Sequence, residues 1–79
     1  MRLDKYLKVS RIIKRRTIAN EVCDAGRVKI NDKTAKASTE IKIGDIIEMR
    51  FGEKVTKFEV LSINEYAKKG EANELFRIL

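Results

Sequence analysis

The sequence of 79 residues has no histidine, no proline, no tryptophan and a single cysteine, Cys23. Without histidine, it lacks the usual base of Ser-His and Cys-His catalysis and the commonest metal ligand. One cysteine excludes an intrachain disulfide and any multi-cysteine zinc site, and indicates a reducing compartment. No apolar run approaches the roughly 18 residues of a membrane helix, and no signal peptide is recognisable. We therefore expect a soluble cytoplasmic protein without a metal, a cofactor or enzymatic activity.

The length allows one small domain, because domains typically run to about 100–150 residues. A chain this short buries only about 60% of its unfolded surface, which leaves little room for a deep substrate cavity. The hydrophobic content of 43% is sufficient for a folded core and too high for a disordered tail. Since no linker-like segment or internal repeat interrupts the chain, we predict a single domain over residues 1–79.

Positive charge is concentrated in the first half of the chain. Residues 1–36 carry 11 basic and four acidic side chains, whereas residues 37–79 carry seven basic and eight acidic ones, which divides the net charge of +6 into +7 and −1. Mixed charge is typical of a solvated surface, but like charges repel one another and require an external anion. Nucleic-acid phosphate is the commonest such anion, and an anionic membrane surface is the alternative.

Two short helices are predicted at the N-terminus. Residues 2–9 place apolar and basic side chains on different faces at about 100° per residue. A connection over 10–16 follows, Thr17 is the predicted N-cap of a second helix over 18–25, and Gly26 is its predicted stop. The predicted apolar face of this second helix consists of Ile18, Val22 and Ala25, with Ala19 and Cys23 beside them.

Alternating apolar residues predict strands in the rest of the chain. The predicted strands are 28–30, 33–36, 46–51, 55–63 and 75–79, separated in part by turns at 31–32, 44–45 and 52–54. The turn at Asn31-Asp32 lacks the glycine of the strongest hairpin signal, so its type stays open. Residues 65–74 are ambiguous, because Gly70 costs about 1 kcal/mol inside a helix. The predicted fold class is α+β, with two N-terminal helices packed on a small, mostly antiparallel sheet.

The aromatic residues and the cysteine are assigned to the core. Tyr6 lies on the apolar face of the first helix, and Phe51, Phe58 and Phe76 fall in strand patterns. Cys23 is predicted to be a small buried hydrophobe, since a reactive thiol requires an exposed, electropositive setting. Few aromatic side chains are therefore left to stack on the bases of a single-stranded nucleic acid. We expect the protein to recognise the backbone and shape of structured RNA instead.

Three consecutive basic residues, Lys14, Arg15 and Arg16, stand directly before the predicted second helix. Their charges oppose the positive end of the helix macrodipole, at about 0.3–1 kcal/mol each when exposed. A bound anion would reverse this cost, because backbone N–H groups and guanidinium groups together form a phosphate cradle. The alternative is that these side chains simply extend into water.

Several motifs, in order along the first 50 or so residues, resemble the S-four RNA-binding domain, a module named after a small-subunit ribosomal protein. They are residues 1–7 (MRLDKYL), 15–17 (RRT), 26–31 (GRVKIN), 36–38 (KAS) and 44–45 (GD). The chain departs from the family pattern at Asp32, where glycine is usual, and at Ala37, where proline is usual. Both departures concern the rigidity of turns and leave the basic helices unchanged.

The resemblance implies an RNA-binding protein, and it adds to the charge pattern in predicting the contact residues. Phosphate contacts are predicted for Arg2, Lys5, Lys8, Arg11, Lys14, Arg15, Arg16, Lys29, Lys33 and Lys36, and hydrogen bonds to RNA for Asn20, Asn31 and Ser38. The prediction rests chiefly on Arg2, Arg15 and Arg16, which fall in the family's motifs. Asp4 is expected to orient Arg2 or to contact a protein, and an intrahelical pair with Lys8 is the alternative.

The C-terminal segment 68–79 makes the whole chain similar to the small bacterial ribosome-associated quality-control proteins related to heat-shock protein fifteen. This resemblance implies binding to large ribosomal subunits that carry peptidyl-tRNA, through large-subunit ribosomal RNA and the tRNA. It also implies support of alanine tailing by a factor of the nuclear-export-mediator family. Two alternatives stay open: an RNA-binding accessory subunit of a separate RNA-modifying enzyme, and a DNA-binding architectural protein.

Overall fold

The computed structural model describes residues 1–79, apart from the side chain of Lys69. Two helices come first, α1 (Leu3–Val9) and α2 (Arg16–Asp24). The strands that follow are β1 (Val28–Ile30), β2 (Lys33–Thr34), β3 (Ile46–Phe51), β4 (Lys54–Val60) and β5 (Phe76–Ile78), with a 3₁₀-helix (Lys69–Glu74) directly before β5. The α+β class predicted from the sequence is confirmed.

The strands form one antiparallel sheet in the order β2-β1-β3-β4-β5. The pair β3–β4 is the longest, running from Ile46 opposite Glu59 to Phe51 opposite Lys54. Alternate side chains of the sheet face the helices, as the pleat requires. The buried members of this face are Val28, Ile47, Met49, Phe58 and Val60.

The first helix packs against the C-terminal part of the chain. Leu3, Tyr6 and Leu7 are fully buried, which confirms the predicted apolar face of α1. The Tyr6 hydroxyl donates a hydrogen bond of 2.6 Å to the carbonyl oxygen of Leu75, just before β5. Burial raises the pKa of Tyr6, so this donor keeps its proton. Burial of each such side chain stabilises the fold by roughly 1.5–3 kcal/mol. Because Leu3, Tyr6, Leu7, Leu75 and Phe76 belong to the same cluster, α1 and β5 share one core.

The apolar face of α2 is shifted by about one residue from the predicted one, although Val22 packs against the core as predicted. Ala19 and Cys23 are fully buried, whereas Ile18 is 44% exposed and Ala25 is exposed. The small side chains at positions i and i+4 form the stripe that lies in the core, and the bulkier Ile18 lies outside it. The predicted burial of Cys23 is confirmed. Burial, followed by the charges of nearby aspartates, raises the pKa of its thiol to about 11, so it is not a reactive thiolate.

The prediction that Thr17 caps α2 is also wrong. The helix begins at Arg16, and the N-cap is Arg15, whose backbone is extended (φ −119°, ψ 129°) and whose side chain makes no capping hydrogen bond. Because helical geometry starts two residues earlier than expected, Thr17 lies exposed within the first turn. The predicted stop is confirmed: Gly26 has a φ of +78°, and its N–H donates to the carbonyl of Cys23.

The strands lie where the sequence predicts them, but some are shorter than predicted. β1 and β3 coincide with the predicted residues 28–30 and 46–51. β2 is shorter than the predicted 33–36, although the buried Ala35 still donates its backbone N–H to the carbonyl of Val28. β4 ends at Val60 and not at residue 63, because the next two backbone N–H groups both donate to the carbonyl of Leu75. Of the ambiguous segment 65–74, residues 69–74 form the 3₁₀-helix.

One aromatic residue assigned to the core lies elsewhere. Phe58 is buried and Phe76 partly buried, as predicted, but Phe51 is 44% exposed. Phe51 is the last residue of β3, beside the turn to β4, and its side chain belongs to a part of the helix-side face that neither α1 nor α2 covers.

The β1–β2 turn is held by an asparagine side chain. Asn31 and Asp32 have φ values of +51° and +69°, as a type I′ hairpin turn requires. The amide nitrogen of Asn31 donates to the Asp45 carboxylate (3.1 Å), and its amide oxygen accepts from the backbone N–H of Ile46 (3.0 Å). Asn31, predicted from the sequence to contact RNA, therefore joins the hairpin to the start of β3.

We expect Asn31→Gly to lower the free energy of unfolding by about 1–2 kcal/mol, because two hydrogen bonds are lost while the left-handed backbone stays accessible. Asp32→Gly is the matched control: it relieves a positive φ without removing a hydrogen bond, so stability should stay equal or rise by up to ~1 kcal/mol. Urea unfolding followed by circular dichroism measures both. Equal losses at the two positions would contradict the role of the Asn31 side chain.

Candidate nucleic-acid interface

A buried carboxylate lies at the centre of the first group of basic residues. The side chain of Asp4, in the first turn of α1, is 3% exposed. It accepts hydrogen bonds from the Arg2 guanidinium at 3.2 and 3.2 Å, from Arg16 at 3.4 Å and from the Asn20 amide at 3.3 Å. The backbone N–H of Lys5 donates a further bond at 2.8 Å. Arg2, Asp4, Arg16 and Asn20 are called the arginine cluster below.

The Asp4 carboxylate is ionised at neutral pH. Burial alone raises its pKa, but hydrogen bonds from Asn20 and Arg16, together with the charge of Arg16, outweigh burial and hold the pKa below its ordinary value of 3.8. The side chains of Arg2 and Arg16 are 46% and 47% exposed, so each retains donors for solvent or a ligand. Asp4 thus orients Arg2, as predicted, and the alternative pair with Lys8 is absent among the described ion pairs.

A second group of cations lines a shallow cavity of about 220 Å³ beyond the C-terminal end of α1. Its charged lining consists of Lys8, Arg11, Lys14 and Glu65. Within the described part of the chain, none of the three cations has a carboxylate within 4.0 Å. Glu65 instead pairs with Lys5 at 3.3 Å. Lys8, Arg11 and Lys14 are called the basic cavity below. None of the three forms an ion pair with a carboxylate in the described part of the chain.

The basic cavity depends on a chain reversal at Arg11. This residue has a φ of +62°, which costs a residue other than glycine about 1–2 kcal/mol. Its N–H donates to the carbonyl of Lys8 (3.0 Å), and the N–H of Ile13 donates back to Leu7 (3.1 Å). Ile13 is buried in the core and anchors the reversal. The reversal brings Lys14 to the same cavity as Lys8, which sequence spacing alone does not indicate.

The N-terminus of α2 offers further anion-binding groups. Its first turn contains no acidic residue and no side-chain cap, so backbone N–H groups stay free for a ligand. Arg15 and Arg16 are both exposed there. Free N–H groups and guanidinium groups at one place are the components of a phosphate site, as the sequence predicts.

Two other predicted residues lie near the arginine cluster. Lys36 and Ser38 are exposed in the loop after β2, which packs on the start of α1. In that loop the carbonyl of Ala37 accepts the Asp4 N–H at 3.1 Å, and its N–H donates to the Asp24 carboxylate at 3.1 Å. The loop is thereby fixed to both helices.

The remaining predicted contact residues are not brought into either group. Lys29 lies opposite Glu48 on the sheet, and strand alternation places it on the face away from the helices. Lys33 is exposed on the short edge strand β2. Asn31 uses its side chain within the fold, as described above.

Other kinds of site find no support in the described part of the chain. No group of three or more histidine, cysteine, aspartate or glutamate side chains is placed there to hold a metal ion. No helix in it has the length and apolar character needed to cross a membrane.

Comparison with known proteins identifies the family of the chain. The family model described as the S4 domain matches residues 1–47. The chain belongs to the S4 domain family. It is 53% identical over 79 residues to the RQC P-site tRNA stabilizing factor of Streptococcus pneumoniae, which covers all of this chain and 90% of that protein. Its identity to the Bacillus subtilis protein of the same name is 52%, covering 100% and 92% of the two chains.

A solved structure shares the S4-domain fold over the whole chain. The trimeric structure of Vibrio cholerae Heat Shock Protein 15 has a TM-score of 0.89 at 31% identity, covering all of this chain and 81% of that one. The S-four resemblance and the fold predicted from the motifs are confirmed. The roles of individual side chains in this S4 domain stay predictions.

We expect Asp4→Asn to lower the free energy of unfolding by about 1–3 kcal/mol near neutral pH, because an amide cannot balance the charge of two guanidinium groups. The folded-state pKa of Asp4 is depressed, so its stabilisation is complete above 3.8 and is lost as the pH falls through the folded value. The stability difference between variant and parent should therefore shrink in acid.

Denaturant titrations between neutral pH and a pH of about 2 measure this difference. Asp32→Asn is the control, because the exposed Asp32 carboxylate makes no hydrogen bond or ion pair in the described structure, and the change should be small. A difference between Asp4→Asn and the parent that persists undiminished in acid would rule out the ion pairing as its source.

Proposed function

We propose that this S4-domain protein is a cytoplasmic RNA-binding factor that associates with large ribosomal subunits obstructed by peptidyl-tRNA. The observation that carries the proposal is the pair of cation groups, the arginine cluster and the basic cavity, in the half of the chain that carries +7, whereas residues 37–79 carry −1. The proposal is supported by relatives named RQC P-site tRNA stabilizing factor, at 53% and 52% identity over the whole chain. RQC stands for ribosome-associated quality control.

The arginine cluster is suited to a phosphate group because its cations are already oriented. Arg2 and Arg16 each donate to Asp4 and keep other N–H donors exposed. A guanidinium held in this way loses less side-chain freedom when it binds phosphate than a free one does. The nearby N-terminus of α2 adds backbone N–H donors. The cluster therefore serves as a preorganised contact to an RNA backbone.

The basic cavity provides a second contact at the other end of α1, because Asp4 lies in the first turn of this helix and Lys8 in the last. Asp4 faces α2, whereas Lys8 lines a cavity shared with the 65–67 segment. Two phosphate sites at opposite ends of one helix suit a protein that touches two RNA segments at once. Under the proposed function these segments are peptidyl-tRNA and large-subunit ribosomal RNA.

Recognition by the RNA backbone and shape is favoured over base stacking. Tyr6 is buried, and Tyr66 is 86% exposed, so one tyrosine ring is available in solvent. Single-strand binders use several aromatic rings, and structured RNA is read through its phosphates and 2′-hydroxyl groups. We infer that the protein binds folded RNA and not an unpaired strand or duplex DNA.

The proposed contribution to quality control is positional. We infer that the protein holds the tRNA on the large subunit and thereby supports alanine tailing by a separate factor of the nuclear-export-mediator family. The described residues include no histidine and no metal-binding cluster. On this proposal, the purified protein turns over neither RNA, nucleotide nor peptide, and its effect on tailing requires the other factor.

We expect Arg15→Ala and Lys14→Ala each to reduce the slope of log affinity against log salt by up to ~1 for structured RNA, because each removes one phosphate contact and its counterion release. Arg50→Ala, an exposed arginine in the near-neutral half of the chain, is the matched control and should leave the slope unchanged. Filter binding over a salt series with a tRNA measures it. Equal slopes for all three variants and the parent would exclude phosphate contacts at residues 14 and 15.

In cells, we expect Arg15→Glu to abolish association with large subunits and alanine tailing together, because a carboxylate at the α2 N-terminus repels phosphate. Arg15 makes no ion pair in the described structure, so the fold should be retained. Arg50→Glu makes the same charge change away from both cation groups and should leave both readouts intact. Gradient sedimentation and detection of alanine tails measure them. Tails that continue after large-subunit association is lost would exclude the tailing role and leave RNA binding.

A further inference from the structure

An apolar groove lies on the helix-side face of the sheet, where neither helix covers it. Its volume is about 350 Å³, and its lining includes Ile12, Phe51, Lys54, Phe76 and Ile78. Phe51 is 44% and Ile78 68% exposed, so large apolar side chains face solvent along the groove. Contiguous exposed apolar surface on a small soluble protein marks an interaction site.

The groove is chemically unlike the two cation groups. Lys54 is the charged residue of its lining, and the floor is built from Met49, Phe58 and Phe76, with the two phenylalanine rings edge to face at 5.8 Å between centroids. Such a surface offers little to a phosphate backbone and much to apolar side chains. The groove is therefore a surface for a protein ligand and is separate from the proposed RNA contacts.

The groove adjoins a strand edge with free backbone groups. β5 pairs with β4 alone and ends the sheet. The N–H of Leu79 donates to Lys57, and the carbonyl of Leu75 accepts from Leu61, so the odd-numbered residues of this segment face β4. In an antiparallel ladder the alternate residues, Phe76 and Ile78, then direct their N–H and C=O groups to the open edge. No backbone hydrogen bond of these two residues to another part of the described chain is found.

The geometry points to strand addition: an extended segment of another protein pairs with the open edge of β5 and places alternate apolar side chains in the groove. Main-chain hydrogen bonds to residues 76 and 78 supply affinity, and the groove supplies specificity, as in other cases of β-augmentation. The side chains of Phe76 and Ile78 lie on the groove face of the same strand. One ligand strand therefore uses the edge and the groove together.

Charge determines which strand fits. The lining of the groove carries one cation, Lys54, and no acidic side chain. The chain as a whole carries +6, so a second copy would bring like charges together. The occupant that complements this surface is an apolar strand with acidic residues at its ends, from a different protein.

Fluorescence anisotropy with the full chain tests the inference. The probe is a short labelled peptide in which valine and threonine alternate between glutamate residues at both ends, and its lysine-ended counterpart is the comparison. We expect saturable binding of the glutamate-ended peptide and weaker binding of the lysine-ended one. Of two glutamate-ended peptides N-methylated at opposite alternate positions, one should lose binding and the other keep it, because strand addition uses one edge of the ligand.

Two variants at equally exposed isoleucines locate the binding. Ile78→Ser should weaken peptide binding about tenfold, equivalent to roughly 1.4 kcal/mol. Ile43→Ser is the matched control, because Ile43 is 67% and Ile78 68% exposed and Ile43 does not line the groove. Neither variant should change tRNA binding. Circular dichroism establishes that both variants are folded.

Several outcomes would overturn the inference. One is absence of binding by the glutamate-ended peptide, and another is equal binding by both isoleucine variants. Loss of binding with both N-methylated peptides, or with neither, would exclude strand addition at one edge. Concentration-dependent self-association in analytical ultracentrifugation that Ile78→Ser removes would assign the groove to a second copy of the chain instead.

Discussion

The ionised carboxylate of Asp4 is the interaction on which the arrangement of the helices and their arginines depends. A charge that is 3% exposed is stable only when it is paired and hydrogen-bonded, and here three side chains and one backbone N–H satisfy it. Arg2 precedes α1, and Arg16 and Asn20 lie on α2, so one carboxylate joins both helices. It also allows two guanidinium groups to lie close together, which without an anion would repel each other. The same carboxylate therefore contributes to the stability of the fold and orients the proposed RNA contacts.

Most of the fold could be predicted from the sequence because local signals and tertiary packing agree. The alternation of β3 and the apolar spacing of α1 survive in the structure because each faces the core with the residues its pattern indicates. The errors arise where packing overrides a local signal. Thr17 has a good capping side chain, but the chain already enters α2 at Arg16. Phe51 continues the pattern of β3 beyond the end of the helices that would cover it.

The sequence predicted which residues belong to the candidate site, but not which of them lie together in the structure. Charge asymmetry and the family motifs identified the basic residues, but their division into the arginine cluster and the basic cavity depends on long-range contacts. Lys5 pairs with Glu65, which is 60 residues away in the chain, and so leaves Lys8, Arg11 and Lys14 uncompensated. Arg11 adopts a left-handed backbone conformation, which is not predictable from its residue type because glycine and asparagine are the residues that favour it. The role of Asn31 within the hairpin likewise depends on Asp45, which lies 14 residues later in the chain, directly before β3.

The hydrogen bond from Tyr6 to Leu75 joins the matched S4 segment to a residue that lies outside it. The family match ends at residue 47, inside β3 (Ile46–Phe51), whereas α1 is completed by residues from β4 and the segment before β5. The stretch that the family model matches and the stretch that forms one packed core are thus different lengths of chain. Residues 1–47 alone would leave β3 cut short and paired only with β1, and would remove Leu75, the hydrogen-bond acceptor of Tyr6. A fragment of this chain that keeps Tyr6 buried and β3 paired on both sides must therefore extend through β5.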